Sequence, residues 1–175
     1  MTGPKRAASS VPATKKLTAF ELASVKAGLT VQPGKRAVKN EYRGGVTVRA
    51  AHKFLASVDL DADLKGKEPG AHRWDYGLGL IDRRGDESAW WIEPHPASST
   101  GEVSTMLAKL EWLTTTLKTP EFAKLQALTD AARLKGIAFR WLAMSGAICI
   151  RPGSSQARRL ALRGLATPTR HVVLP

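Results

Sequence analysis

Asp75, Glu93 and His95 are the residues whose types and spacing in this chain point most directly to chemistry. They lie in two strand-like runs, Arg73-Trp74-Asp75-Tyr76-Gly77-Leu78-Gly79-Leu80 and Ala89-Trp90-Trp91-Ile92-Glu93-Pro94-His95. A polar turn, Asp82-Arg83-Arg84-Gly85-Asp86, joins them in the pattern of a β-hairpin. A turn symmetric about Arg84 sets Asp75 directly opposite Glu93. Alternation then puts Asp75, Gly77 and Gly79 on the same face as Trp91, Glu93 and His95. Directly opposed residues have Cβ atoms about 4.5–5.5 Å apart. Two carboxylates that close repel unless a cation or a shared proton intervenes. The expectation is a small acidic site that carries a histidine.

The elements around the hairpin must hold that site in place. Beyond His95, the residues Val103, Met106, Leu107, Leu110, Leu113 and Leu117 form one apolar stripe, which predicts a helix from about Gly101 to Lys118. Lys109 lies on the flank of that stripe, and its stem can lie along the sheet while its ammonium reaches toward Asp75 and Glu93. The plainer alternative is a solvated lysine paired with Glu102 or Glu111. Thr18-Ala19-Phe20-Glu21 is a capping box opening a short helix that stops near Gly28. Val48, Ala51, Phe54, Leu55 and Val58 follow helical spacing. Thr119-Pro120-Glu121 starts a further helix ending at Gly136, and Ile137 to Ile150 reads as a buried strand. Ser154 or Ser155 caps a short arginine-bearing helix, and Arg170 to Leu174 suits a last strand. This order predicts an α/β (α+β) domain, a mixed β-sheet flanked by helices, over residues 17–175. Residues 1–16 read as a disordered basic tail.

Composition narrows the class of function. The five tryptophans suit core and rim packing more than base stacking. Cys149, the single cysteine, sits in an apolar run and reads as a buried structural thiol, which suits a reducing cytoplasm. Asp59-Leu60-Asp61-Ala62-Asp63 resembles the start of a calcium loop, but Leu64 and Gly70 stand where that loop needs Gly and Glu, so a solvated acidic turn is expected. His52 and His72 have no partners that would make a zinc site. No apolar run is long enough to span a bilayer, so no membrane partner is expected. The net charge is +12, distributed as +9 over residues 1–58, −5 over 59–130 and +8 over 131–175. An acidic centre between basic flanks suits a nucleic-acid partner gripped on both sides of a cation site. Lys35, Arg36, Arg43, Arg151, Arg158, Arg159 and Arg163 are the candidate phosphate contacts. A protein partner or a homodimer is also compatible with this composition.

The hairpin with its following helix resembles the PD-(D/E)XK nuclease superfamily, across roughly residues 40–150. In that pattern an Asp on the first strand matches Asp75, and the Glu-x-Lys of the second strand matches Glu93-Pro94-His95. The resemblance implies a restriction-endonuclease-like core and a metal-dependent nucleic-acid phosphodiesterase cleaving DNA or RNA. It further implies Mg²⁺ or Mn²⁺ held by Asp75 and Glu93, hard cations that take oxygen ligands. His95 would accept a proton from water or ligate the metal. Lys109, from the following helix, would stabilise charge on the phosphate. Glu41 is the candidate for the accessory acid that many members carry on an N-terminal helix. This chain departs from the pattern in having His95 for the lysine, Arg73-Trp74 before the Asp, and Pro94 within a strand. The alternative reading is a non-catalytic nucleic-acid-binding module, or an adaptor, with a degenerate nuclease-like fold.

Overall fold

The computed structural model describes residues 16–175, so the tail expected over 1–16 lies outside the described residues apart from Lys16. The predicted hairpin is its centre. Strands β4 (Tyr76–Asp82) and β5 (Glu87–His95) pair antiparallel in the expected register, Tyr76 with Ile92 and Gly77 with Trp91. Asp82 builds the turn, its Oδ1 accepting from the N–H groups of Arg84 at 2.9 Å and Asp86 at 3.0 Å.

Around the hairpin the chain forms a five-stranded mixed sheet in the order β1-β3-β4-β5-β6. Strand β1 is Gln32–Pro33, β3 is His52–Asp59, and β6 is Phe139–Ala143, parallel to β5. The β5–β6 connection contains α4 (Glu102–Leu117), a 3₁₀ turn (Pro120–Phe122) and α5 (Ala123–Arg133), the helical crossover that parallel neighbours require. A second, two-stranded parallel sheet pairs β2 (Val46–Val48) with β7 (Val172–Leu174). The remaining helices are α1 (Ala19–Lys26), α2 (Asn40–Arg43), α3 (Leu60–Leu64) and α6 (Ser155–Leu162).

Helix α1 has the expected capping box and is fixed to the hairpin by Glu87 of β5, whose carboxylate accepts the N–H groups of Ala19 at 3.0 Å and Phe20 at 2.8 Å. Phe20 then packs over Gly79, and Trp91 packs over Gly77; a Cβ would come within 2.5 Å of Phe20 at Gly79 and within 2.7 Å of Trp91 at Gly77. Trp91 donates to Thr129 of α5 at 2.9 Å. The two glycines thus admit aromatic side chains of this fold. Trp74, Trp90, Trp91 and Trp141 are sealed in one continuous core, and Trp112 is half-buried with its indole N–H on Glu68 at 2.5 Å.

Four expectations need correction. The helical spacing from Val48 to Val58 belongs to strands β2 and β3. Between Phe54 and Ala56 the ladder shifts register, so the alternation slips there and imitates a helical stripe. The strand expected from Ile137 to Ile150 stops at Ala143, because the chain turns away through Ser145-Gly146, where Gly146 takes a φ of 107°. Cys149 consequently lies exposed, its thiol on the Ser98 carbonyl, and is no buried core thiol. The acidic turn is a short helix, α3, capped by Asp59, whose Oδ1 accepts from Ala62 N–H at 2.9 Å. Among the described residues no helix is long and apolar enough to cross a membrane.

Candidate functional site

The β4–β5 ladder ends at Tyr76 and Ile92, and the site forms where pairing stops. Asp75, the next residue, has a free N–H, and it donates to Glu93 Oε2 at 2.8 Å. The Asp75 carbonyl accepts from Leu60 N–H at 2.7 Å, so α3 fixes the backbone from the other side. Strand β5 continues to His95 because β6 still pairs with it, Glu93 beside Trp141 and Pro94 beside Leu142. The backbone N–H of Trp91 points to the β6 side, where it donates to the carbonyl of Ala138 just before that strand. Alternation therefore turns the Pro94 nitrogen toward β4, whose pairing has already ended, and no ladder bond is lost.

Helix α4 delivers Lys109 to the two acids. Its Nζ lies 2.5 Å from Glu93 Oε1 and 3.5 Å from Asp75 Oδ1. The two carboxylates are thus no farther apart than those distances combined. The solvated placement of Lys109 beside Glu102 or Glu111 is set aside by this contact. Glu93 has no exposed surface, while Asp75 and Lys109 are partly buried. Burial, and then the Asp75 charge, pushes Glu93 up to about 8 in spite of Lys109. Burial also raises Asp75, with Lys109 opposing. For Lys109, burial disfavours the charge, but Glu93 and Asp75 outweigh it and the ammonium is held more firmly than usual. These groups titrate as a unit. Two ionised acids and one ammonium carry a net negative charge in a buried place, which a proton or a second cation relieves.

His95 stands two residues beyond Glu93 on the same face of β5, but its ring is engaged by α4 and not by the two acids. Its Nε2 lies 2.9 Å from Glu102 Oε2 in the first turn of α4, and its ring is tilted beside Trp141 at 6.4 Å. Any proton it exchanges with a ligand passes through Nδ1. Glu41 is exposed on α2, next to Tyr42, at the same end of the sheet. Tyr42 is a residue that the sequence did not single out. Its phenol is raised by burial and then by Glu41, Asp75 and Glu93, so it lies within the field of all three acids. Asp59, raised by burial and by Asp75 among other acids, and Lys39, whose charge favours ionised Asp75, complete the surroundings. Neither Tyr42 nor Lys39 gave a sequence signal, because α2 is a single turn with no periodicity.

Among the described residues no group of three or more His, Cys, Asp or Glu side chains is arranged to hold a metal. The donor set fits a different kind of site. Mg²⁺ keeps several waters and is typically held by one or two carboxylates plus substrate phosphate at about 2.0–2.1 Å. Asp75 and Glu93 would supply such a pair only with Lys109 displaced from Glu93.

The expected phosphate contacts divide into two groups. Lys35 donates to the carbonyls of Arg43 at 2.8 Å and Val46 at 2.6 Å, and lies over the Phe54 ring. Arg43 donates to the carbonyls of Val38 and Arg36, both at 2.6 Å. Both cations are fastened to the loop that carries α2, with N–H donors left over on each. Arg36, Arg151, Arg158, Arg159 and Arg163 are exposed.

No protein-family model matches the chain. The curated proteins and the solved structures likewise yielded no match.

Proposed function

We propose that this protein is a metal-dependent nucleic-acid phosphodiesterase whose reacting groups gather at the open end of the β4–β5 hairpin. One observation supports the reading above the others: Glu93, wholly buried, and Asp75 meet a single ammonium from the following helix. A Mg²⁺ or Mn²⁺ ion bound there would supply an activated water and charge neutralisation at the phosphate. Asp75 and Glu93 would hold that ion, with the Asp75 N–H fixing the orientation of the Glu93 carboxylate. Lys109, released from Glu93, would place its ammonium against a non-bridging phosphate oxygen. His95, oriented by Glu102, would take up a proton at Nδ1.

The test is cleavage of plasmid DNA, circular single-stranded DNA and RNA in Mg²⁺ or Mn²⁺. The expected result is cleavage by the wild type, lowered roughly 10²-fold or more by Asp75→Asn and by Glu93→Gln. Cleavage that survives both substitutions, or that is absent with both metals, overturns the reading. A second reading has one observation in its favour: Lys109 already offsets the two acids, so the cluster is self-sufficient as a structural ion network. On that reading the protein binds nucleic acid without cutting it, and a wild type that binds but does not cleave is the result that selects it.

A further inference from the structure

The carboxyl ends of the parallel strands β5 and β6 are where ligands of open α/β sheets commonly sit. In this protein that end carries a cleft of about 360 Å³, whose lining residue Leu142 pairs with Pro94, the neighbour of Glu93. It is lined by Glu41 and Tyr42 of α2, by Leu142, Met144 and Ser145 at the end of β6, and by Arg170 just before β7. Gly45 closes in on it: a Cβ there would come within 2.9 Å of Leu142 and 3.3 Å of the Arg170 carbonyl. Tyr42 joins the two features, since it lines the cleft and also lies in the field of Asp75 and Glu93.

The lining offers three chemistries in one small space. The Tyr42 ring, with its hydroxyl 4.0 Å from the Met144 sulfur, is a flat aromatic and polarisable surface suited to a base. The Glu41 carboxylate accepts hydrogen bonds from an exocyclic amine or a sugar hydroxyl. Arg170 donates to the carbonyls of Met144 and Gly146, which fixes its guanidinium at the cleft while leaving further N–H donors for a phosphate. The volume lies at the small end of ligand sites. It accommodates one nucleotide, and a base that is stacked and paired in a duplex cannot enter without being taken out of the stack.

We propose that this cleft seats one unpaired nucleotide of a single strand, next to the phosphodiester presented to Asp75 and Glu93, an inference that rests on the phosphodiesterase reading above. Base and sugar occupy the cleft, one flanking phosphate meets Arg170, and the other runs toward Lys109. Single-stranded nucleic acid is therefore the substrate class.

The experiment measures binding in the presence of a chelator, so that cleavage plays no part. A short labelled single strand of mixed sequence and the duplex of the same sequence are titrated with full-length protein, followed by fluorescence anisotropy. The wild type binds the single strand more tightly than the duplex. Ser145→Trp, which fills the cleft from its exposed turn, and Tyr42→Leu, which removes the stacking surface, each weaken single-strand binding about tenfold and leave duplex binding unchanged. Circular dichroism establishes which variants are folded, and either one suffices. In the wild type, the methyl resonance of Met144 shifts when the single strand is added. Folded variants that bind the single strand as the wild type does, an equal loss for single strand and duplex, or an unmoved Met144 resonance overturn the proposal. A protein that shows these effects but never cuts overturns the phosphodiesterase reading and keeps the nucleotide seat; one that cuts without them loses the seat alone.

Discussion

Glu93 is the side chain on which the site's behaviour turns, because it is an acid with no exposure and a second acid beside it. Its carboxyl is raised from 4.5 to about 8, with burial the main cause. Between those values the folded chain binds a proton that the unfolded chain has released. Stability therefore falls as pH rises through this window, by an amount on the order of a few kcal/mol. Lys109 is also raised, but its contribution is present below the ordinary lysine value of 10.5 and disappears only above it, outside the window. Replacing Glu93 by Gln removes its share of the titration and leaves that of Asp75, which burial also raises. Urea unfolding from pH 5 to pH 9 should then show wild-type stability declining relative to Glu93→Gln as pH rises. Parallel profiles for the two proteins would show that Glu93 is ionised throughout. Added Mg²⁺ at the alkaline end should raise the wild-type Tm, because ligand binding to the folded state alone stabilises it, and should leave Glu93→Gln unmoved.

At the scale of elements, the hairpin and its following helix were legible because each obeys a single period. The turn centred on Arg84 set the register, and the Leu110 stripe set the rotation of α4 that carries Lys109 to the acids. Strand β3 was not legible, because the shift between Phe54 and Ala56 breaks its alternation, and because it pairs on both sides, with β1 and β4, and buries Ala56, Ser57 and Val58 in succession. The site was half legible for a related reason. Asp75, Glu93 and Lys109 sit on long regular elements, whereas Tyr42 sits on a single helical turn whose place is set by Lys35 and Arg43 bonding to loop carbonyls. His95 was placed on the correct face, yet only the fold brings Glu102 round to it. The docking of α1 onto the hairpin is open to a direct test through Gly79. A methyl there would meet Phe20 at 2.5 Å, and a ring packed inside a core has little room to yield. Gly79→Ala should destabilise the protein by about 1–3 kcal/mol, read as a lower urea midpoint, and a Phe20→Leu background should recover part of the loss. An unchanged midpoint would mean that α1 moves freely on the sheet.

For the molecule as a whole, the charge map gains meaning once the cations are sorted by what they touch. The excess of +12 suggests a long-range attraction to polyanions, and a cation already bonded to backbone carbonyls has fewer N–H donors left for a phosphate. Lys35 and Arg43 are fastened in this way, and burial lowers the Lys35 pKa. The arginines of α6 and the turn after it differ. Ala157 and Leu160 turn inward to the core, leaving Arg158, Arg159 and Arg163 exposed on a segment with no acid to offset them. If these three contact the strand that the site reads, each neutralised phosphate releases counterions and steepens the salt dependence by about 0.7 on a logarithmic plot for single strands. Changing all three to Ser should weaken binding and reduce that slope by about two. Lys35→Met is the matched control: it should lower thermal stability, because two loop carbonyls lose their donor, while the slope stays as in the wild type. A slope unaltered by the triple substitution would move the phosphate track away from α6. A slope reduced by Lys35→Met would mean that the α2 loop opens to release its lysine when nucleic acid binds.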